Sequence, residues 1–184
     1  LATAQTLTSG TFSLTTSTLG TGTLTIALGT PAYTGSTPDT YSSFTQTSSV
    51  DVTIDSSNNT LAGVRDAINA ADVGVNASIL NNGSTYQLLL VSETTGLANS
   101  MSISVSNDSS GTDTDSSGLS QLVYNASASQ LEQSVAGSNA AFTLNGISIS
   151  SSTNTVSEVV DGVTLNLLGT TTSSVTLDVK TDTT

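Results

Sequence analysis

Short runs in which apolar and polar residues alternate recur along most of this chain, and they constrain its fold more than any other feature. A period of two buries one face of a β-strand and leaves the other in solvent. Gly, Asn, Ser and Pro, which favour turns, separate the runs. The predicted strands cover residues 6–14, 24–28, 50–54, 75–80, 86–91, 101–105, 141–144, 147–149, 163–168 and 175–179. The pattern predicts a mainly β, β-rich α+β protein.

Two of the turns contain the dipeptide Asn-Gly, the strongest short-range signal for a β-hairpin. Asn82-Gly83 lies between the predicted strands 75–80 and 86–91. Asn145-Gly146 lies between 141–144 and 147–149. We therefore expect two tight antiparallel hairpins.

One segment has a helical period instead. Leu61, Val64 and Ile68 fall on one face of a helix predicted over residues 60–72. Asn59 or Thr60 can accept hydrogen bonds from the free amides at the start of this helix, and a glycine at position 74 suits its end. Such a helix is long enough to cover one face of a small sheet.

Two segments are predicted to be loops. Residues 29–49 contain both prolines and the aromatic residues Tyr33, Tyr41 and Phe44. These three form a candidate contact patch, and the alternative is that they pack locally within the loop. Residues 107–118 consist almost entirely of Ser, Thr, Asp and Gly, so we expect this segment to be solvated and mobile.

The charge and the missing residue types exclude several classes of function. The chain has fourteen acidic and two basic residues, which gives a net charge of −12. This charge disfavours nucleic acid and anionic membranes as partners. The chain has no Cys and no His, so it lacks thiol chemistry and the commonest general base and metal ligand. We expect a protein that is not an enzyme and has no cofactor or metal. The sequence starts without Met or a leader, which suggests a fragment of a longer protein.

Two charged groups are candidates for a metal site or a contact between subunits. Asp113 and Asp115 have the spacing that opens a calcium loop, but the twelfth position is Tyr124, so a solvated acidic loop is preferred. Arg65 is the single arginine and stands beside Asp66. Its alternatives are an ordinary partner in the same domain and a salt bridge between subunits.

The chain also contains an internal repeat. Residues 59–68 and 154–163 share the pattern N-T-[LV]-x-x-V-x-D-[AG]-[IV] at a separation of 95 positions, and predicted strands flank both copies. Each copy is predicted to form a capped helical turn against its own sheet, with the two aspartates accepting hydrogen bonds from backbone amides. The repeat residues singled out as structural are Asn59, Thr60, Val64, Asp66, Asn154, Thr155, Val159 and Asp161.

The repeat predicts two small sheet modules, each with a short covering helix. In the nested arrangement, residues 1–17 and 127–184 form one domain, into which residues 18–126, with helix 60–72, are inserted. The nested form requires the strand 6–14 to return near 175–179. The alternative is a serial arrangement of 1–126 and 127–184.

Several motifs resemble the flagellar filament-cap family, hook-associated protein two. They are NTLAGVRDAIN at 59–69, YQLLLVSETTG at 86–96, FTLNGI at 142–147 and NTVSEVVDGVTL at 154–165, with LATAQTL and SGTF near the start. The resemblance covers most of the chain in the order that the family has. The helical legs of that family are missing, so the sequence looks like the head alone.

The resemblance implies a secreted bacterial structural protein at the extracellular tip of the flagellum. Its head domains would form an oligomeric plate that promotes flagellin assembly, with copies of itself, flagellin and hook-filament junction proteins as partners. The rival hypothesis is a surface adhesin that binds host glycan or mucin through the loop 30–49. A phage-tail or autotransporter protein is a third possibility, but it would need longer repetitive arrays.

Overall fold

The structure, a computed structural model, describes residues 1–33 and 41–176. Within that part the chain forms eleven strands and one α-helix, joined by short 3₁₀ turns at Leu97–Asn99 and Gly118–Leu122. The helix, α1, is Leu61–Ala70. The strands are β1 Thr6–Thr8, β2 Gly22–Tyr33, β3 Tyr41–Ile54, β4 Val75–Asn81, β5 Tyr86–Ser92, β6 Ser100–Ser106, β7 Glu132–Val135, β8 Ala140–Leu144, β9 Ile147–Ser151, β10 Thr155–Val160 and β11 Val163–Asn166.

The strands form four antiparallel sheets. One has the order β4-β5-β1-β7 and a second the order β3-β2-β6. The hairpins β8-β9 and β10-β11 form two sheets of two strands each. The prediction of a mainly β fold is confirmed, and so are both Asn-Gly hairpins. In the second of these, Asn145 and Gly146 both adopt positive φ, +50° and +82°, as a tight two-residue turn requires.

The helix is confirmed together with its cap. The Gly63 N–H donates to the Oγ1 of Thr60 at 3.1 Å, and Leu61, Val64 and Ile68 are buried. The chain then leaves the helix through Gly74 at a φ of +78°. Leucine, valine and isoleucine at this spacing place the helix over β3 and β4.

One hydrophobic core holds the two larger sheets and the helix together. Its buried members run from Leu7 to Leu131. Beyond that point only Ala140 and Val156 are buried apolar residues in the described part of the chain. We therefore call residues 1–135 the body and residues 138–168 the hairpin unit, which includes the bond from the Leu167 N–H to the Asn154 carbonyl.

The prediction of a loop over residues 29–49 is wrong in its described parts, because β2 runs to Tyr33 and β3 starts at Tyr41; residues 34–40 lie outside the description. Pro31 lies within β2, although proline has no N–H with which to bond a neighbouring strand. It pairs with Phe44, beyond the last pair that β2 makes with β6, Gly29 with Ser100. On that stretch β2 is itself an edge, where the missing N–H of proline is tolerated.

The prediction of a second helix is also wrong. The first repeat copy enters α1, whereas the second forms β10, a turn and β11. Val159 and Val160 are β-branched and favour a strand. The turn between Val160 and Val163 is Asp161-Gly162, with Gly162 at a φ of +72°, and Asp-Gly is itself a hairpin signal. The hairpin unit therefore has no covering helix in the described residues.

The first strand is shorter than predicted and has different neighbours. β1 ends at Thr8 and pairs with β5 and β7, not with residues near 175. Residues 175–176 are not in a strand, and 177–179 lie outside the described part. The division into 1–17 with 127–184 and 18–126 stays a prediction. The sheet β4-β5-β1-β7 would lie across that boundary.

Candidate interaction surfaces

The hairpin unit is attached to the body through an asparagine side chain. The amide of Asn154 accepts a hydrogen bond from the Ala2 N–H at 2.8 Å and donates one to the Ala2 carbonyl at 2.9 Å. An amide side chain thus replaces a neighbouring strand, since it presents one donor and one acceptor side by side. Ala2 is buried, so these two hydrogen bonds are partly shielded from water.

Further contacts surround this clamp, and we call the whole contact the junction. Thr3 and Ser138 exchange backbone hydrogen bonds of 2.9 and 3.2 Å, and the Thr95 hydroxyl donates to the Ser152 carbonyl at 2.7 Å. Gly96 has a φ of +107°, and a Cβ added there would lie 2.8 Å from the Cβ of Ser152. Glycine is therefore the residue that allows the two backbones to approach this closely.

A buried polar network lies behind the junction. The Gln5 side chain is fully buried, its carbonyl accepts from the Met101 N–H, and its amide donates to the Gln133 Oε1 at 2.6 Å. The Tyr124 hydroxyl donates to the same oxygen at 3.0 Å. The network joins β1, β6 and β7, so it fixes the part of the body to which the hairpin unit is attached.

The hairpin unit leaves apolar side chains in solvent. Ile147 is 68% exposed and Leu168 is 92% exposed. A two-stranded sheet is marginally stable without a packed face. Ile147 and Leu168 are therefore available for a further contact.

The predicted contact patch is only partly at the surface. Tyr33 and Phe44 are half-buried and pack against the core, and Tyr41 pairs with Tyr33 along the backbone. The side chain of Tyr41 lies outside the description. Burial raises the pKa of the Tyr33 phenol, and a hydrogen bond with Gln133 partly offsets that rise. A contact role for these three residues stays a prediction.

Phe44 of β3 borders an open groove of about 340 Å³ that β6 also lines. Asp113 and Asn125 also line it. The Asn125 amide is already used, since it donates to the Ile103 carbonyl and accepts from the backbone amides of the turn that follows. The Asn125 side chain is thus occupied within the fold.

The segment 107–118 is solvated as predicted, but its carboxylates organise it. The Ser117 hydroxyl and the backbone amides of Thr112 and Ser117 donate to Asp115 and lower its pKa to about 2. Asp108 accepts from the backbone and hydroxyl of Ser120 at 2.7 and 2.6 Å. These are local turn contacts. Within residues 1–33 and 41–176, no group of three acidic side chains is placed to hold a metal ion.

The other repeat residues have separate roles. Asp66 pairs with Arg65 at 2.7 Å, so the prediction that it accepts backbone amides is wrong. Both side chains are largely exposed, and such a pair contributes little to stability. Asp161 lies in the exposed turn before β11, and Thr155 donates to the Asn166 side chain on that strand. Val64 is buried and Val159 is half-buried.

Sequence reasoning missed the junction. It singled out Asn154 as a helix cap, whereas the structure uses the same amide to hold Ala2, 152 positions away. Gln5 and Gly96 gave no local signal, because their roles depend on partners distant in sequence. In the described part of the chain, no helix has the length and apolar character needed to cross a bilayer.

Comparison with known proteins relates this arrangement to the flagellum. The family model for the flagellin hook IN motif matches residues 23–94, and that for the C-terminus of flagellar hook-associated protein 2 matches residues 137–184. The chain is 41% identical over 125 residues to the B-type flagellar hook-associated protein 2 of Pseudomonas aeruginosa PAO1. That match covers 63% of this chain and 26% of the relative.

Solved structures agree with these matches. The D2-D3 domains of the flagellar cap protein FliD from Escherichia coli align with a TM-score of 0.77 at 37% identity, over 94% of this chain and 79% of that one. The P. aeruginosa PAO1 FliD structure aligns with a TM-score of 0.70 at 31% identity, over 94% and 71%.

The fold and these relatives define a structural protein of the bacterial flagellum, and the matched proteins are named for their place in it rather than for a reaction. The chain belongs to the flagellar hook-associated protein 2 family, the flagellar cap proteins. It spans about a quarter of the length of the curated relatives that it matches.

Proposed function

We propose that this chain is a head segment of an extracellular flagellar cap, located at the tip of the filament. In the complete protein it would contribute to an oligomeric plate beneath which flagellin subunits assemble. Copies of the same protein, flagellin and the hook-filament junction proteins are its partners in this proposal. The observation that carries it is the alignment with the FliD D2-D3 domains over most of both chains.

The geometry supports a mechanical role. The body has one continuous core, and the junction attaches the hairpin unit to it through paired backbone and amide contacts. The hairpin unit presents Ile147 and Leu168 to solvent. A rigid body with an apolar extension is suited to holding its copies at a set spacing.

A chimera tests the proposal. In a bacterium that lacks its own cap protein, the matching segment of the native full-length protein is replaced by residues 1–184. We expect the chimera to restore filaments and swimming. A chimera that is produced and exported at the normal level, while flagellin is lost to the medium without filaments, would contradict the proposal.

Oligomerisation has its own test. We expect light scattering to report a closed ring for the full-length chimera, and a monomer or weak association for residues 1–184 alone. Replacing Ile147 by serine should weaken the ring if the hairpin unit forms the contact. A matched Leu14→Ser change removes a similarly exposed apolar residue, 59% exposed, from the body and should leave the ring intact. A tight ring from residues 1–184 alone would mean that the contacts are misplaced.

Host glycan or mucin binding stays a prediction without a specific observation in its favour. Its predicted site is the segment 30–49. In the described part of that segment, the Tyr33 side chain is half-buried rather than exposed. The measurement is binding of residues 1–184 to immobilised mucin, before and after Phe44→Ser. Unchanged or absent binding would remove this candidate.

A further inference from the structure

The direction of the backbone groups in the sheet β3-β2-β6 can be fixed from one bridge. The Ile103 N–H donates to the Tyr124 carbonyl at 2.7 Å, and the Tyr124 N–H donates back at 2.9 Å. The backbone groups of Ile103 therefore point away from β2. In antiparallel sheets alternate residues face opposite neighbours, so its partner Ile26 faces β3, and Val50, paired with Ile26, faces β2.

It follows that Ser49, Asp51 and Thr53 turn their N–H and C=O groups to the outer side of β3. An independent contact agrees with this direction, because the Asn58 side chain reaches the Thr53 carbonyl from outside at 3.1 Å. Ser49 and Asp51 have no such partner recorded for these backbone groups in the described part of the chain. Their edge faces solvent.

The other edges of the two larger sheets already have partners at some positions or are short. On β6, Tyr124 bridges the strand and the Gln5 side chain accepts from the Met101 N–H. On β4, the Asn69 amide donates to the Ala77 carbonyl at 2.9 Å and accepts from its N–H at 2.7 Å. β7 has only four residues, and short edges are one way in which proteins avoid unwanted pairing.

β3 has few of these protections. It is fourteen residues long, and from Tyr41 to Val50 it contains no proline and no charged residue. Two bulges interrupt its pairing, at Ser42 and Thr47, where the hydroxyls donate to the Ala32 carbonyl at 3.1 Å and to the Leu28 carbonyl at 2.9 Å. The pairing from Ser48 to Ile54 is continuous. Long, uncharged, unpaired edges are templates for the addition of another strand.

We propose that the outer edge of β3, centred on Ser49 and Asp51, receives an extended segment of a partner protein as a fourth strand. The partner segment is proline-free and rich in Ser, Thr and Val, and it carries no net negative charge. A second copy that added its own β3 at this edge is disfavoured because each copy carries Asp51 there, and like charges opposite each other destabilise a pair of strands. The identity of the partner rests on the proposed function, in which the segment belongs to an exported subunit that has not yet folded.

Amide hydrogen exchange measured by NMR on residues 1–184 tests the edge directly. The probe is a synthetic peptide of alternating Thr and Val with one Lys at each end, at millimolar concentration. At saturation we expect the Ser49 and Asp51 amides to exchange about fivefold more slowly, the effect of one net hydrogen bond. The Val50 and Val52 amides, already bonded to β2, should not change. A peptide with proline at alternate positions is the matched control and should have no effect.

Two substitutions at one position sharpen the result. Ser49→Pro removes the outward N–H without breaking a bond to β2 and should abolish the protection of Asp51, whereas Ser49→Ala should retain it. Unchanged exchange with the peptide, or equal slowing at Val50, would overturn the proposal. Slowing that appears on concentrating the chain alone would show that the occupant is a second copy, which also overturns it.

The same two variants distinguish a failure of this proposal from a failure of the proposed function on which it rests. In the full-length chimera, we expect Ser49→Pro to give fewer or shorter filaments than Ser49→Ala. Equal filaments would overturn the identification of the partner as an exported subunit. If the unsubstituted chimera fails to form filaments, the proposed function fails, and the peptide experiment still decides the edge.

Discussion

Replacing Asn154 by alanine removes both hydrogen bonds between its side chain and the backbone of Ala2. Each net bond contributes about 1 kcal/mol, so the substitution should destabilise the junction by about 2 kcal/mol. That corresponds to roughly a thirtyfold increase in the fraction of molecules whose junction is open. Because the body keeps its own core, the loss should be local rather than global.

The internal repeat supplies the matched control. Asn59 occupies the same place in the first copy as Asn154 in the second. Its carbonyl accepts from the Leu19 N–H at 2.8 Å, but its side-chain amide makes no hydrogen bond to residues 1–33 or 41–176. Asn59→Ala therefore deletes the same chemical group without deleting a junction contact, and it should change stability by less than about 0.5 kcal/mol.

Amide exchange at Thr3 and Ser138 measures the opening. These two residues bond to each other across the junction, and the Asn154 substitution leaves both bonds in place. Their exchange should accelerate by roughly thirtyfold in Asn154→Ala and remain unchanged in Asn59→Ala. Equal rates in both variants, or acceleration spread through the body, would refute the role assigned to the Asn154 amide.

Three further predictions concern single positions. Thr60→Ala should lower the free energy of unfolding by about 1 kcal/mol in urea denaturation, and Thr60→Ser should retain the cap. Gly96→Ala should accelerate exchange across the junction because its Cβ meets Ser152, whereas Gly83→Ala, also at positive φ but in open space, should strain only its own turn. The folded pKa of Asp115, about 2, lies below its unfolded value, so its contribution is present above about pH 4 and is lost as the pH falls through 2. NMR of the segment 107–118 should follow that loss, and a segment that keeps its shifts at pH 2 would contradict it.

The parts of the fold that were predicted correctly depend on local chemistry. The turn at Asn145 and the cap at Thr60 are set within a few residues, so the sequence pattern is sufficient. The wrong predictions arose where local signals conflict with distant ones. Pro31 ends a strand by local rules, but it lies on a stretch of β2 that β6 does not reach. Asp161-Gly162 is a hairpin signal in the sequence. The prediction of a helix in the second copy instead followed the repeat pattern.

The candidate site was harder to predict than the fold. The repeat drew attention to Asn154, yet the helix cap inferred for the second copy was wrong, whereas the cap predicted at Asn59 or Thr60 in the first copy was confirmed. Thr60, not Asn59, caps the helix, and Asn154 binds Ala2. Gln5 gives no signal in the sequence, because a single glutamine between Ala4 and Thr6 has no distinctive pattern. Its importance lies in burial and in partners about 96 and 128 positions away.

The two bidentate asparagines explain how a chain with two basic residues protects its sheets. Lysine on an edge strand is the usual deterrent to pairing, and this sequence has almost none to use. Asn69 on Ala77 and Asn154 on Ala2 satisfy the outward peptide groups directly, because an amide side chain has the donor and acceptor of a strand. Where this device is used, the edge is closed to other chains. In the described part of the chain no such side chain lies beside Ser49, and this is one reason why the proposed strand addition is placed there.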